Sequence, residues 1–332
     1  MSQASPHPEH GTIGMVLGKF MPPHLGHLYL TEMASAYVDK LFVVVEHIEG
    51  EPIPSSLRYA WMKELLPSAE VLHLTTPHPQ DPSEREDFWD LWRTSLLALL
   101  PTKPDFVFAS EAYGARLAQE LHATFIPVDP ARSVMPISGT EVRLRPLSNF
   151  RFLPPPVRAY YAKRVCIFGP ESTGKSTLTE ALANHYGSVF VPEYARAHIT
   201  AHGGRVEAAD VLPIARGQLA SERALARRCD RVLFSDTDVL ATTIWSEVLF
   251  GHVDPEVEAL AASQHFDLTL LLDVDVPWVE DIVRYLPTER ASFFARCEEA
   301  LAQRGRNTVV VQGTWDERFR TATRAVDALL RS

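Results

Sequence analysis

Eight residues, Gly169-Pro170-Glu171-Ser172-Thr173-Gly174-Lys175-Ser176, match the spacing G-x-x-x-x-G-K-[ST] without a mismatch. Each type has a task when the ligand is a chain of phosphates. Gly169 and Gly174 let bare backbone wrap an anion, the N–H groups of Glu171, Ser172 and Thr173 point into the turn, Lys175 reaches the outer phosphates, and the Ser176 hydroxyl can ligate Mg²⁺. Thr177 continues the first helical turn and belongs to the same candidate set.

Such a loop works only between a strand and a helix. Arg164-Val165-Cys166-Ile167-Phe168 is apolar and β-branched enough for a buried strand, and Ser176 to Tyr186 has helical spacing. Further strands are expected at Ser188 to Pro192, Arg231 to Ser235, Leu268 to Asp273 and Thr308 to Val311, making a five-stranded parallel sheet, with helical sequence from Val206 to Cys229. The second of these strands ends in Asp236-Thr237-Asp238. A carboxylate there orients a metal ion, so Asp236 is the first metal candidate and Asp238 the second.

The first half carries its own chemistry. An apolar run from Thr12 leads into Gly18-Lys19-Phe20-Met21-Pro22-Pro23-His24-Leu25-Gly26-His27, followed by a helical run from Leu28 to Val38. His24 and His27 then lie at a helix N-terminus, where N–H groups and the helix dipole already favour a phosphate. Strands at Leu41 to His47, Val71 to Leu74, Asp105 to Ala109 and Thr124 to Val128 alternate with helices at Ser55 to Leu66, Glu84 to Leu100 and Ala112 to Leu121. That alternation makes a second doubly wound parallel sheet with ligands at the carboxyl ends of its strands, where Ser110, Tyr113 and Gly114 also fall. Ser138 and Glu141 have capping-box spacing, which starts a short helix and puts Thr140 and Arg143 on one face. A hydroxyl and a guanidinium at a helix start can clamp a phosphate.

Composition sets the frame. At 332 residues the chain exceeds one average domain, and 46% hydrophobic with 22% charged residues excludes the disordered classes. The domains expected are a disordered tail over 1–11, a first domain over 12–150, a stiff extended linker over 151–163 containing Pro154-Pro155-Pro156, and a second domain over 164–332. Net charge is −10, with an acidic excess in both halves, so no nucleic-acid partner is expected. No signal peptide and no apolar run of membrane length is present, which predicts a cytoplasmic protein without a membrane partner. Cys166, Cys229 and Cys297 form no metal or disulfide pattern and are expected as buried thiols. Trp89, Trp92 and Trp245 could stack on a base, with core packing the expectation for each. A homo-oligomer is left open.

Gly18 to His27 and Ile137 to Arg143 resemble the paired GxFxPxHxGH and ISxTxxR signatures of the nucleotidylyltransferase superfamily. Followed by a P-loop domain, they resemble the bifunctional NadR family, in which a nicotinamide mononucleotide (NMN) adenylyltransferase is joined to a ribosylnicotinamide kinase. Ser110 to Gly114 and Val128 to Arg132 extend the likeness, so it runs from about Thr12 to the C-terminus. The helix-turn-helix repressor domain of some members is expected to be missing, since only about a dozen residues precede the first strand.

The resemblance implies a Rossmann-like nucleotidylyltransferase domain followed by a P-loop kinase domain. It also implies Mg²⁺, ATP as co-substrate, and ribosylnicotinamide, NMN and NAD as the other small-molecule ligands. Within it, Gly18, Phe20, Gly26, Ser110, Tyr113, Gly114, Ser138 and Thr140 bind nucleotide beside the catalytic Lys19, His24, His27 and Arg143. In the second domain Lys175, Asp236 and Glu193 are catalytic. Arg284 and Arg290 belong to a lid that closes on the transferring phosphate, where this chain has Asp281-Ile282-Val283-Arg284 instead of the common Asp-Gly-x-Arg.

The two reactions ask for different residues. A mononucleotide phosphate is already an ionised nucleophile, so adenylyl transfer needs alignment and charge stabilisation but no base. A nucleoside 5′-hydroxyl must lose a proton, which calls for a carboxylate such as Glu193. The same two chemistries on another nucleoside or cofactor precursor, and a nucleotide sensor with one inactive domain, are the alternatives.

Overall fold

Runs rich in Val, Ile, Leu and Phe become parallel strands buried on both faces, and glycine-containing or acidic turns hand each one to a helix. The computed structural model describes residues 11–280 and 288–331. The chain divides into two units, Met1–Val157 and Arg158–Ser332. The tail expected to be disordered lies, but for Gly11, outside the described residues.

In the first unit the order is β1 (Ile13–Gly18), α1 (Leu25–Tyr37), β2 (Lys40–Glu46), α2 (Ser55–Leu65), β3 (Glu70–Leu74), α3 (Phe88–Leu99), β4 (Phe106–Ala109), α4 (Tyr113–Glu120), β5 (Thr124–Pro127) and α5 (Gly139–Leu144). The sheet runs β3-β2-β1-β4-β5, and every pairing is parallel. Alternate residues feed two cores: Met15, Leu17, Phe42 and Val44 pack on Trp92, Leu96 and Leu117, while Val16, Val43 and Val45 pack on Leu30, Met62 and Phe108. β1 and residues 41–45 of β2 are therefore apolar, the pattern of a sheet covered on both faces.

Three expectations change. The first helix begins at Leu25 because His24 is its N-cap, accepting from the Gly26 N–H. The run from Glu84 breaks into a 3-10 turn, Pro82–Glu84, closed by a capping box from Asp81, and helix proper starts at Phe88. The proline segment is not extended: Phe150–Phe152 forms a 3-10 turn and α6 spans Pro155–Tyr161. Pro155 and Pro156 occupy the first helical turn, where the missing N–H groups have no intrahelical partner to lose and the fixed φ is already helical.

In the second unit β6 (Lys163–Phe168), α7 (Lys175–Tyr186), β7 (Phe190–Val191), α8 (Tyr194–Ala201), α9 (Val211–Ala226), β8 (Val232–Asp236), α10 (Val239–Phe250), α11 (Pro255–Ser263), β9 (Leu268–Leu272), α12 (Arg290–Gln303), β10 (Thr308–Val311) and α13 (Trp315–Arg331) follow in turn. The strand order is β10-β9-β6-β8-β7, again all parallel. Val165, Ile167, Leu270 and Leu272 pack beneath Leu178 and Leu182 of α7 and Ala322 and Val326 of α13. The sheet thereby aims the end of β6 at the start of α7.

Leu270 is fully buried in that core. Leu270→Ala should cost about 2–5 kcal/mol through lost transfer energy and a residual cavity. Limited proteolysis should then cut the second unit first, leaving a fragment of the first.

Candidate functional sites

Each unit has a cavity at the carboxyl ends of its strands. In the first, Gly18 and Lys19 leave β1 and enter a turn in which Phe20 adopts a left-handed φ of 46° and the Met21–Pro22 peptide is cis. Phe20 is buried and meets the His27 ring edge-on at 5.0 Å. The Gly26 N–H donates to His24 Nδ1 at 3.1 Å, so the neutral ring carries its proton on Nε2. The two imidazoles stack 3.7 Å apart. Burial, then the nearby Arg132 guanidinium, pushes His24 down to about 4, and burial, then His24 and Arg132, holds His27 well below its ordinary value. Both rings are thus neutral donors at pH 7, and His27 Nδ1 is buried without a hydrogen-bond partner among the described residues.

From the opposite side α5 brings Arg143. Its N-cap Ser138 accepts from the Glu141 N–H at 3.2 Å, and Arg143 donates to Thr140 Oγ1 at 3.1 Å and to the Met21 carbonyl. Gly139 is required here, since a Cβ would lie 2.7 Å from the Met21 oxygen. The cavity is about 410 Å³, and Gly18, Lys19, Phe20, His24, Gly26, His27, Ser110, Tyr113, Ser138, Thr140 and Arg143 all line it. Gly114 does not. A Cβ there would lie 2.6 Å from both Ala109 and Phe125, so this glycine serves helix-on-sheet packing. The Tyr113 hydroxyl is engaged too, donating to the Leu17 carbonyl at 2.6 Å.

Three further residues build the site, and of these only Asp129 falls in a stretch that carried the family likeness. Asp129 folds the 129–135 loop by accepting from the N–H groups of Ser133, Val134 and Met135. Glu46 lines the cavity from the end of β2. Arg58, fully buried in α2, donates to the carbonyls of Ile53 and Lys19 and to the Glu51 carboxylate, which holds the β1–α1 loop from behind. A glycine inside a signature could have flagged Gly139; a lone arginine in a helix carries no comparable mark.

In the second unit Gly169 (φ 137°) and Gly174 (φ 85°) take backbone angles that disfavour any side chain, and a Cβ on Gly174 would strike the Trp315 ring at 2.2 Å. Lys175 Nζ donates to the Pro170 carbonyl at 2.8 Å and Thr173 Oγ1 to the same oxygen at 2.9 Å. Arg318, fully buried in α13, donates to the carbonyls of Thr173, Asp273 and Gly313 and pairs with Asp275. Arg318 thus holds the Thr173 carbonyl of the loop from behind.

Ser176 Oγ donates to Asp236 Oδ2 at 2.5 Å, across 60 residues of chain. Burial, then the Glu193 charge, raises the Asp236 pKa to about 6. Its Oδ1 is buried without a hydrogen-bond partner among the described residues. A hydroxyl beside an unsatisfied carboxylate oxygen suits a hard divalent cation such as Mg²⁺. Asp238 is placed otherwise and is corrected as a metal candidate: it caps α10 by accepting from the Ala241 N–H and forms a buried ion pair with Arg306 at 3.0 Å.

The second cavity, about 160 Å³, is lined by Glu171, Ser172, Thr173, Gly174, Lys175, Ser176 and Thr177, with Glu193 facing them. Glu193 follows β7 as the N-cap residue of α8 but its side chain makes no capping hydrogen bond, while Gln218 holds the α8 start by accepting from the Tyr194 N–H at 2.8 Å. Ile199, Ile214, Trp245 and Phe250 supply an apolar wall. Trp245, expected in the core, packs at a tilt against Phe293, ring centres 4.4 Å apart, and also faces the cavity; Trp92 is core, donating to the Pro79 carbonyl, and Trp89 is partly buried against the same cluster. Arg290 lies outside the cavity lining, donating to the carbonyls of Val276 and Ser172. Arg284 falls outside the described residues. All three cysteines are buried and free. No helix among the described residues is long and apolar enough to cross a membrane.

Comparison with known proteins returns a family described as an AAA domain over residues 164–318. The trifunctional NAD biosynthesis/regulator protein NadR of Escherichia coli K12 is 30% identical over 93% of this chain and 81% of its own length. The Salmonella typhimurium protein of the same name is 29% identical over 92% and 80%. Among solved structures, a NadR protein in complex with NR superposes with a TM-score of 0.78 at 21% identity, covering 96% of this chain and 95% of that one. A NadR protein in complex with NAD and AMP-PNP gives 0.75 at 21% identity, covering 96% of each. At that identity the structural matches establish the fold.

Two outcomes test this geometry. Arg58→Met strands the buried Glu51 carboxylate and the Lys19 carbonyl, so it should cost about 3–5 kcal/mol in urea unfolding and weaken nucleotide binding at the first cavity more than at the second. For His24 the folded-state value lies below the unfolded one. Its stabilising contribution of about 3 kcal/mol is present above pH 6.5 and lost as pH falls through about 4. His24→Asn, which can still cap α1, should flatten the urea midpoint over that window.

Proposed function

Since the chain belongs to the NadR family, we propose that it makes NAD at two sites, phosphorylating ribosylnicotinamide with ATP in the second unit and joining the resulting NMN to AMP from another ATP in the first. What carries the reading is the presence in one chain of two different phosphate cradles, a stacked pair of neutral imidazoles at 3.7 Å and a Ser176–Asp236 contact at 2.5 Å beside a P-loop.

In the kinase site the apolar wall and Gln218 take the nucleoside and Glu193 accepts the proton of its 5′-hydroxyl. The freed oxygen bonds to the γ-phosphorus as the bond to the departing ADP breaks. Lys175 leaves the Pro170 carbonyl for the phosphates, and the loop N–H groups hold the charge that spreads over the transferring oxygens. Ser176 and Asp236 would hold Mg²⁺, which neutralises phosphate charge when bound. Among the described residues no cluster of three His, Cys, Asp or Glu side chains makes a metal site, so the phosphates and water supply the remaining ligands.

In the adenylyltransferase site an NMN phosphate oxygen bonds to the α-phosphorus of ATP while the bond to pyrophosphate breaks. No proton needs to be removed. Neutral His24 and His27 donate to the α-phosphate without competing for a proton, and Lys19 and Arg143 stabilise the departing pyrophosphate.

Purified protein with Mg²⁺ and ATP should yield NAD from NMN in one tube and from ribosylnicotinamide in another, read by chromatography. His27→Ala should lower NAD formation from NMN by on the order of 10²-fold or more and spare phosphorylation of ribosylnicotinamide, and Lys175→Ala should do the reverse. One substitution that removed both activities would count against independent sites.

A further inference from the structure

The first cavity contains a buried carboxylate that the chemistry described above does not use. Glu46, the last residue of β2, is 6% exposed and lines the cavity. Gln80 Nε2 donates to its Oε2 at 3.0 Å. Oε1 receives no hydrogen bond among the described residues. Burial pushes the carboxyl upward; Gln80, Lys19, Arg58 and His78 act against that rise. Arg58 is engaged by Glu51 and two carbonyls, and His78 by the Thr76 carbonyl and Ser95 Oγ at 2.7 Å, and neither lines the cavity. Lys19 does line it, on the loop that leaves β1.

Sheet order separates Glu46 from Asp129, another carboxylate of the cavity. With strands in the order β3-β2-β1-β4-β5, the imidazoles sit over the end of β1, Glu46 lies about 5 Å to one side on β2, and Ser110 and Asp129 lie on the other beyond β4 and β5. Charge decides which ligand group meets Glu46. On the β4–β5 side the Asp129 carboxylate is already engaged by backbone N–H groups. Only one of the two bases carries a positive charge: the pyridinium of NMN is permanently cationic, and adenine is neutral. A buried carboxylate is best matched by a buried cation and by the N–H donors of a carboxamide.

On the adenylyltransferase reading above, we infer that Glu46 is a specificity residue that faces the pyridinium ring and selects the amide mononucleotide over the acid form, nicotinic acid mononucleotide (NaMN). The acid form would set a second carboxylate against Glu46, and two like charges facing each other in a buried site destabilise binding.

The test is steady-state kcat/KM of the full chain with Mg²⁺ and ATP for each mononucleotide, in the wild type, Glu46→Gln and Glu46→Asp. The wild type should prefer NMN. Glu46→Gln, which keeps the side chain's shape, should lower the NMN to NaMN ratio by on the order of 10-fold to 100-fold, chiefly through KM, with the KM for ATP unchanged. Glu46→Asp should recover part of the preference, and phosphorylation of ribosylnicotinamide should be unaffected in both variants. An unchanged ratio in Glu46→Gln, or a rise confined to the KM for ATP, overturns the assignment and leaves the adenylyltransferase reading standing. A wild type that uses both mononucleotides equally overturns it without any variant. A wild type that forms no dinucleotide from either one overturns the adenylyltransferase reading itself.

Discussion

A loop that offers its N–H groups to an anion must turn its carbonyls away, and those carbonyls then need partners out of reach of water. Both units meet this constraint in the same way. In each, one wholly buried guanidinium sits behind the loop: Arg58 takes the Lys19 and Ile53 carbonyls, and Arg318 takes those of Thr173, Asp273 and Gly313. Each is neutralised by one carboxylate, Glu51 or Asp275. The planar fork of arginine offers five donors in fixed directions, enough for several carbonyls and a carboxylate at once, where lysine has three on one nitrogen. The strands aim the loops, and these two side chains keep them facing the ligand.

Burial then tunes each site to its own chemistry. An acidic chain, net −10, can still present two loops suited to anions because the potential that matters is local: helix N-termini, loop N–H groups and nearby cations. Loss of solvent makes His24 and His27 neutral donors, which suits a reaction whose nucleophile is already ionised. The same loss of solvent, with the Glu193 charge beside it, raises Asp236 and makes a nearby cation more welcome. One physical effect thus acts with opposite sign on imidazole and carboxylate.

The two cavities differ in the same sense as their proposed tasks. The first is the larger, about 410 Å³ against 160 Å³, and is lined from strands on both sides of β1, as a site joining two nucleotides requires. The second pairs its loop with an apolar wall and one carboxylate. Glu193 is the N-cap residue of α8, but its side chain makes no capping hydrogen bond, which suits proton acceptance from a hydroxyl.

Much of this was legible in sequence. Gly169 to Ser176 and Gly18 to His27 are contiguous, so their geometry depends on glycine angles, a strand before and a helix after, all of which short-range periodicity reveals. Alternation of apolar runs with helical spacing was enough for two parallel sheets. What sequence could not decide involves residues far apart in the chain. That Ser176 faces Asp236 and that Asp238 turns to Arg306 follows from how β8 and α10 pack across the sheet. Three consecutive prolines read as a helix stop, yet two of them start α6, because a proline's effect depends on whether it falls in the first turn. Nothing in the sequence marks Arg58, Arg318 or Glu46. Only tertiary structure shows them buried, since the partners that make a buried charge tolerable are assembled from distant strands and loops.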